Sequence, residues 1–131
     1  MTMHGYNELG EGDYCAVYSS IEAFDVASEA SDSEVRRTQR ILEEVAKNGR
    51  KDLNEQMFKL EGRFPSGSIK LGEVAVYTTK VNALRIYCGF LTIKGRRLLC
   101  VEAAIKKQNK ADQAQLKRVA KKLGKQFDEY G

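Results

Sequence analysis

Lysine and arginine are the side chains with the clearest chemical potential in this sequence, and they concentrate in one segment. Residues 100–123, CVEAAIKKQNKADQAQLKRVAKKL, pass from an apolar run to a lysine cluster and then to a helical period. Clustered cations bind phosphate groups, because counterion release from a polyanion favours concentrated positive charge. The alternative interpretation is a solvated edge whose charges keep a small domain soluble.

Other catalytic chemistry has little support in the sequence. It contains no nucleophile elbow, no Walker loop and no glycine-rich dinucleotide fingerprint. One histidine and three cysteines without CxxC spacing leave no recognisable zinc site. The widely spaced Cys15, Cys88 and Cys100 are typical of unpaired thiols in a reducing cytoplasm. Any catalysis must therefore use Lys, Arg, Tyr or the ligand's own groups, and we expect neither a metal nor a cofactor.

Charge is distributed unevenly along the chain. Residues 1–34 contain eight acidic residues and no Lys or Arg, whereas residues 35–131 hold all 22 basic residues against ten acidic ones. Residues 85–126 contain twelve basic residues and two acidic ones. This pattern predicts an anion-binding body and favours nucleic acid as its ligand.

The length of 131 residues fits one compact domain. No apolar run approaches the roughly 20 residues that span a bilayer. The start of the chain has neither the basic residues nor the apolar core of a secretory signal. We therefore expect a cytoplasmic protein without a membrane partner. Residues 1–12 hold three glycines and few apolar groups, and they are predicted to be a flexible acidic leader before a single domain over residues 13–131.

Hydrophobic periods predict the elements of the first half. DYCAVYSS (13–20) is predicted to be the first strand, and the following IEAFDVASEA a short helix. Ser31 and Glu34 have the spacing of a capping box, and Asn48-Gly49 is a helix stop, with apolar residues at helical spacing between them. A second helical segment is predicted to end near Gly62, which would complete a helical hairpin.

The second half is predicted to form three strands and a helix. The strands are SIKLGEVAVYTT, NALRIYCGFLTI and RRLLCVEAAI, with a tight turn at Lys94-Gly95. Short links predict an antiparallel meander, and the last strand lacks polar alternation, as a central strand covered on both faces does. The final helix is predicted to begin near Asp112, with Gln115 completing its cap, and Gly124 is predicted to weaken its last turns.

Five short motifs follow one another along the chain: FKLEG (58–62), IKL (69–71), LRIYCGF (84–90), IKKQNK (105–110) and DEY (128–130). Their order resembles the RelE/HigB-like toxins of bacterial toxin–antitoxin systems. The resemblance covers residues 14–130 and implies an α+β fold. That fold would have an N-terminal strand and helical hairpin, an antiparallel three-strand meander and a C-terminal helix.

The resemblance also implies an activity, that of a ribosome-dependent endoribonuclease that cuts mRNA without a metal. In that reaction the RNA 2′-OH attacks the neighbouring phosphate, so the substrate supplies its own nucleophile. The protein must position the strand, remove a proton and stabilise charge on the phosphate.

Individual roles follow from the same resemblance. Arg85 matches the arginine of the family's third strand and is expected to bind the scissile phosphate; the alternative is an edge arginine paired with Glu73 or Glu102. Lys106 and Lys107 match the basic junction and are expected to supply further catalytic cations; the alternative is a solvated loop.

Other positions complete the expected site. Lys70 matches the strand motif IKL and is a candidate base or phosphate ligand. Contacts to RNA are expected from two aromatic and three basic side chains: Tyr87, Tyr130, Lys110, Lys117 and Lys121. For the two tyrosines, packing in the sheet or the core is the alternative.

Two further functions stay open. One is a ParE-type inhibitor of DNA gyrase, and the other is a non-catalytic module that binds nucleic acid or protein. The expected partners are a cognate antitoxin, the ribosome and mRNA. An acidic partner would suit the basic surface.

Overall fold

The computed structural model describes residues 3–106 and 112–131. Its elements, in chain order, are β1 (Tyr6–Glu11), β2 (Ala16–Ser20), α1 (Ile21–Ala27), α2 (Asp32–Asn48), β3 (Phe58–Pro65), β4 (Glu73–Val81), β5 (Leu84–Thr92), β6 (Arg96–Ile105) and α3 (Gln113–Tyr130). The strands form one six-stranded sheet in the order β1-β2-β6-β5-β4-β3. β2 and β6 are parallel, and the other neighbouring strands are antiparallel.

The sheet is covered on both faces. α1 and α2 pack on one face, over a buried cluster that includes Val17, Leu98 and Cys100. α3 packs on the other face, over a cluster that includes Leu99 and Val101. β6 lies between β2 and β5 and contributes side chains to both clusters. The prediction that RRLLCVEAAI is a central strand covered on both faces is confirmed.

The predicted fold class is wrong. We expected one N-terminal strand, a helical hairpin and a three-strand meander, whereas a six-stranded mixed sheet carries three helices. Residues 6–11, which the sequence placed in the leader, form β1 and pair with β2. Their main-chain N–H and C=O groups find partners in β2, and such pairing does not require an apolar sequence.

The prediction of a second helix in the hairpin is also wrong. Residues 58–65 form the edge strand β3, paired with β4. Pairing with β4 satisfies the main-chain groups of Phe58–Pro65, and an edge strand tolerates Gly62 and Pro65. The strand predicted from Ser68 begins only at Glu73, so the segment that contains Lys70 is a loop between β3 and β4.

Several local predictions are confirmed. Ser31 and Glu34 form a reciprocal capping box at the start of α2. Gly49 has φ 72°, a conformation that glycine adopts without strain. Lys94 and Gly95 both have positive φ in the turn between β5 and β6, as a tight antiparallel connection of this kind requires.

Two features of α3 bear on the site. Asp112 caps the helix, since its Oδ1 accepts a hydrogen bond from the N–H of Ala114 at 2.9 Å. Gly124 does not end or fray the helix, which continues to Tyr130. A Cβ at Gly124 would lie 2.1 Å from the carbonyl oxygen of Ser66, so glycine is needed there for close contact with the β3–β4 loop.

Candidate nucleic-acid interface

The sheet face that carries α3 holds a group of charged side chains, one of which, Lys106, contacts the first turn of that helix. Alternation along β5 directs Leu84 and Ile86 toward the α1–α2 cluster, whereas Tyr87 joins the α3 cluster. Arg85 therefore lies on the α3 face, as does its cross-strand partner Lys80 in β4.

Arg85 is 5% exposed. Its Nη1 atom donates to the carbonyl oxygen of Asn82 at 2.5 Å and to that of Leu84 at 3.2 Å. These bonds hold the guanidinium at the β4–β5 turn. Glu102, one of the two carboxylates predicted as alternative partners of Arg85 beside Glu73, forms ion pairs with Arg118 and Lys122.

Lys106 follows β6 and continues its pairing, since its N–H donates to the carbonyl oxygen of Ala83 at 2.7 Å. Its Nζ atom donates to Oε1 of Gln115 at 2.5 Å and lies 5.6 Å from the centroid of the Tyr87 ring. A cation over an aromatic face is an attractive contact. Lys106 therefore joins the end of the sheet to the first turn of α3, on the same face as Arg85.

Tyr87 itself is 1% exposed. Its ring packs beneath Lys106 in the α3 cluster, so in this conformation it offers no open face on which an RNA base could stack.

A carboxylate that the sequence did not single out completes this group. Glu61 is the extra residue of a β-bulge in β3, between Leu60 and Gly62. It accepts a hydrogen bond from Oγ1 of Thr78 at 2.8 Å. It lies 3.8 Å from the Nζ atoms of both Lys59 and Lys80.

The cations of this face are placed by strand register. Lys80 lies directly across from Arg85, and such neighbours have Cβ atoms about 5 Å apart, where like charges repel. Glu61 beside Lys80 and the carbonyl oxygens around Arg85 offset that repulsion. We name Lys59, Glu61, Lys80, Arg85 and Lys106 the basic strip. It holds four cations and one carboxylate, a net charge of +3.

The other predicted residues lie elsewhere or outside the described residues. Lys107 and Lys110 fall between residues 106 and 112 and are not described. Lys117 and Lys121 are exposed on α3. The hydroxyl of Tyr130, at the far end of α3, accepts from the N–H of His4.

Lys70 is exposed in the β3–β4 loop. Ser68 of that loop donates to Asp128, thirteen residues beyond Gln115 in α3. That separation corresponds to about 20 Å along a helix. Lys70 is therefore not brought together with Lys106.

Part of the basic face of α3 is neutralised by the sheet. Glu102 accepts from Nε of Arg118 at 2.8 Å and from Nη2 at 3.2 Å, and Nζ of Lys122 lies 3.3 Å away. Burial opposes ionisation of Glu102, but these cationic donors outweigh it and lower the pKa of the carboxyl.

The part of the chain that the structure describes holds neither a candidate metal centre nor a helix that could span a membrane. Over residues 3–106 and 112–131, no group of three or more His, Cys, Asp and Glu side chains is arranged to hold a metal ion. In that same part of the chain, no helix combines the length and the apolar character needed to cross a bilayer.

Comparison with known proteins yields no relative: no protein-family model, no curated protein and no solved structure matches the chain. The likeness to RelE/HigB-like toxins rests on the short motifs alone.

Proposed function

We propose that the basic strip binds the phosphodiester backbone of RNA and that the chain is a metal-independent endoribonuclease. It would act as the toxin of a toxin–antitoxin pair on mRNA at the ribosome. One observation carries the proposal: Lys80, Arg85 and Lys106 lie on one face of adjacent strands. Concentrated cations of this kind favour a polyanion.

The chemistry needs few protein groups. The RNA 2′-oxygen forms a bond to phosphorus while the bond to the 5′-oxygen breaks, which leaves a 2′,3′-cyclic phosphate and a 5′-hydroxyl. Lys80 and Lys106 would stabilise the added negative charge on the phosphate. Glu61, whose side chain is 5% exposed and accepts from Thr78, would hold Lys80 in place. Water would accept the proton of the 2′-hydroxyl and supply a proton to the 5′-oxygen as it leaves.

A non-catalytic binding module is the second candidate, and Arg85 favours it. The guanidinium donates to two main-chain carbonyl oxygens, which suits a structural role. RNA could then be held by the lysines of the strip without being cut.

Inducible expression in bacteria with primer extension on transcripts tests the proposal. The wild-type chain is expected to produce discrete cuts that depend on translation. Lys80→Ala combined with Lys106→Ala is expected to remove them. The control variant, Lys47→Ala combined with Lys51→Ala, removes the same charge near the end of α2, on the opposite side of the sheet. It is expected to leave the cuts unchanged.

The other outcomes separate the alternatives, provided that circular dichroism shows both double variants to be folded. Intact transcripts without growth arrest would favour the binding module. Growth arrest with DNA damage and intact transcripts would favour inhibition of gyrase. If the cuts persist in the Lys80/Lys106 variant, the basic strip is not part of the cleavage site.

A further inference from the structure

An apolar cavity lies on the sheet face opposite the basic strip, between the sheet and the helices α1 and α2. Its volume is about 180 Å³. It is lined mainly by apolar side chains from β1, β2, β5 and the two helices, among them Leu9, Val17, Phe24, Leu42, Leu84 and Ile86. A dry apolar cavity of about 150 Å³ is already large enough to bind benzene, so this one can hold a single small ring.

One polar group of the cavity lacks a partner. Thr38 of α2 lines the cavity and is 5% exposed. Its Oγ1 atom makes no hydrogen bond with any residue that the structure describes. A helical threonine can bond to the carbonyl four residues earlier, but Thr38 does not. A buried hydroxyl without a partner is unfavourable, and a ligand with a hydroxyl group would satisfy it.

The charges around the cavity restrict its ligand. Glu43 is its one charged lining residue within the described chain, and neither Lys nor Arg lines the cavity there. An anionic ligand would lie near the carboxylate of Glu43 with no cation among the described lining residues, so the cavity suits a neutral molecule.

We propose that this cavity is a binding site for a small neutral molecule of the phenol type, with one apolar ring and one hydroxyl group. The ring fills the space between the sheet and the two helices. The hydroxyl exchanges a hydrogen bond with Oγ1 of Thr38. The site is separate from the basic strip and does not depend on ribonuclease activity.

Titration of the full-length, isotope-labelled protein followed by NMR tests the proposal with three probes: phenol, toluene and benzoate. Phenol is expected to give saturable shifts confined to α1, α2 and the adjoining strands. Benzoate is expected to bind at least about tenfold more weakly, because its charge is desolvated without a partner.

Two variants make the test specific. Thr38→Val keeps the shape of the side chain and is expected to weaken the binding of phenol about fivefold to tenfold, the effect of one lost hydrogen bond. Toluene is expected to bind the variant and the wild type equally. Ala27→Phe fills the cavity and is expected to abolish binding of both, with a native spectrum elsewhere. The proposal is overturned if phenol gives no saturable shifts, if the shifts lie on the α3 face, or if Thr38→Val binds phenol as tightly as the wild type.

Discussion

Substitution of Gly124 by alanine should reverse the usual effect of that change in a helix. In an open helical position, alanine is more favourable than glycine by about 1 kcal/mol. At Gly124 the new Cβ would lie 2.1 Å from the carbonyl oxygen of Ser66 and 2.8 Å from its carbonyl carbon. Helix and loop would have to separate by about 0.9 Å to bring the closer contact to 3.0 Å.

The loop that blocks the methyl group is itself held in place. The N–H of Ser66 donates to the carbonyl oxygen of Gly72 at 2.9 Å, and Ser68 donates to Asp128 of α3 at 2.6 Å. Overpacking costs about 1–3 kcal/mol, and a clash with anchored backbone belongs at the upper end. After subtraction of the gain in helix propensity, Gly124→Ala should lower the free energy of unfolding by about 2 kcal/mol.

Equilibrium unfolding in urea, followed by circular dichroism, measures this loss. Lys117, exposed on the same helix, provides the matched control. Lys117→Ala should be more stable than Lys117→Gly by about 1 kcal/mol, which calibrates the propensity term in α3. Stabilisation of Gly124→Ala by a similar amount would refute the close contact between α3 and Ser66.

Three further predictions concern charge and burial. Hydrogen bonds from Ser31 lower the pKa of Glu34, and its carboxylate also accepts from two backbone N–H groups after β4; Glu34→Gln should cost about 1 kcal/mol at pH 7. The pKa of Glu34 is lower in the folded state than in the unfolded state. Its contribution to stability is therefore complete above the unfolded pKa of about 4.3 and is lost as pH falls through the folded pKa. Urea unfolding at pH 3 should accordingly show a smaller difference in stability between variant and wild type. Glu102→Gln should lower the free energy of unfolding by about 1 kcal/mol, because it weakens the bidentate ion pair with Arg118. The same loss of stability when Arg118 is already replaced by Met would contradict this reason. Burial raises the pKa of Cys15 to about 11, and all three thiols are buried, so they should react with Ellman's reagent only on unfolding; rapid reaction of the native protein would show that the thiols are accessible.

Local signals in the sequence were sufficient where short-range contacts decide the structure. The capping box of Ser31 and Glu34, the cap at Asp112 and the turn at Lys94-Gly95 each depend on residues within a few positions of one another. Because each of these features is determined by the residues that form it, the residue types predict it.

The strands β1 and β3 could not be predicted in the same way. Each is an edge strand stabilised by its neighbour, β2 or β4, and its own residues have no strong strand pattern. The parallel contact between β2 and β6 joins segments about 80 residues apart, and no local sequence pattern reports such a contact. Tertiary pairing overrides weak local preferences in these segments.

The candidate site was predicted in part. Clustering of basic residues pointed to the junction after β6, where Lys106 lies on the same face as Arg85. The contributions of Lys80 and Glu61 depend on strand register and on a bulge, which the incorrect second helix concealed. Lys70 was misplaced because the segment before Glu73 is a loop.

The salt dependence of RNA binding tests the central claim most directly. The ligand should be a 2′-O-methyl oligonucleotide, which cannot be cut by attack of its own 2′-hydroxyl. For a single strand, the slope of log affinity against log salt changes by about 0.7 for each phosphate contact. Loss of Lys80 and Lys106 together should therefore reduce the slope by about 1.4, with no change for the Lys47 and Lys51 control. An unchanged slope in the Lys80/Lys106 variant would show that these lysines do not hold phosphate and would contradict the proposed site.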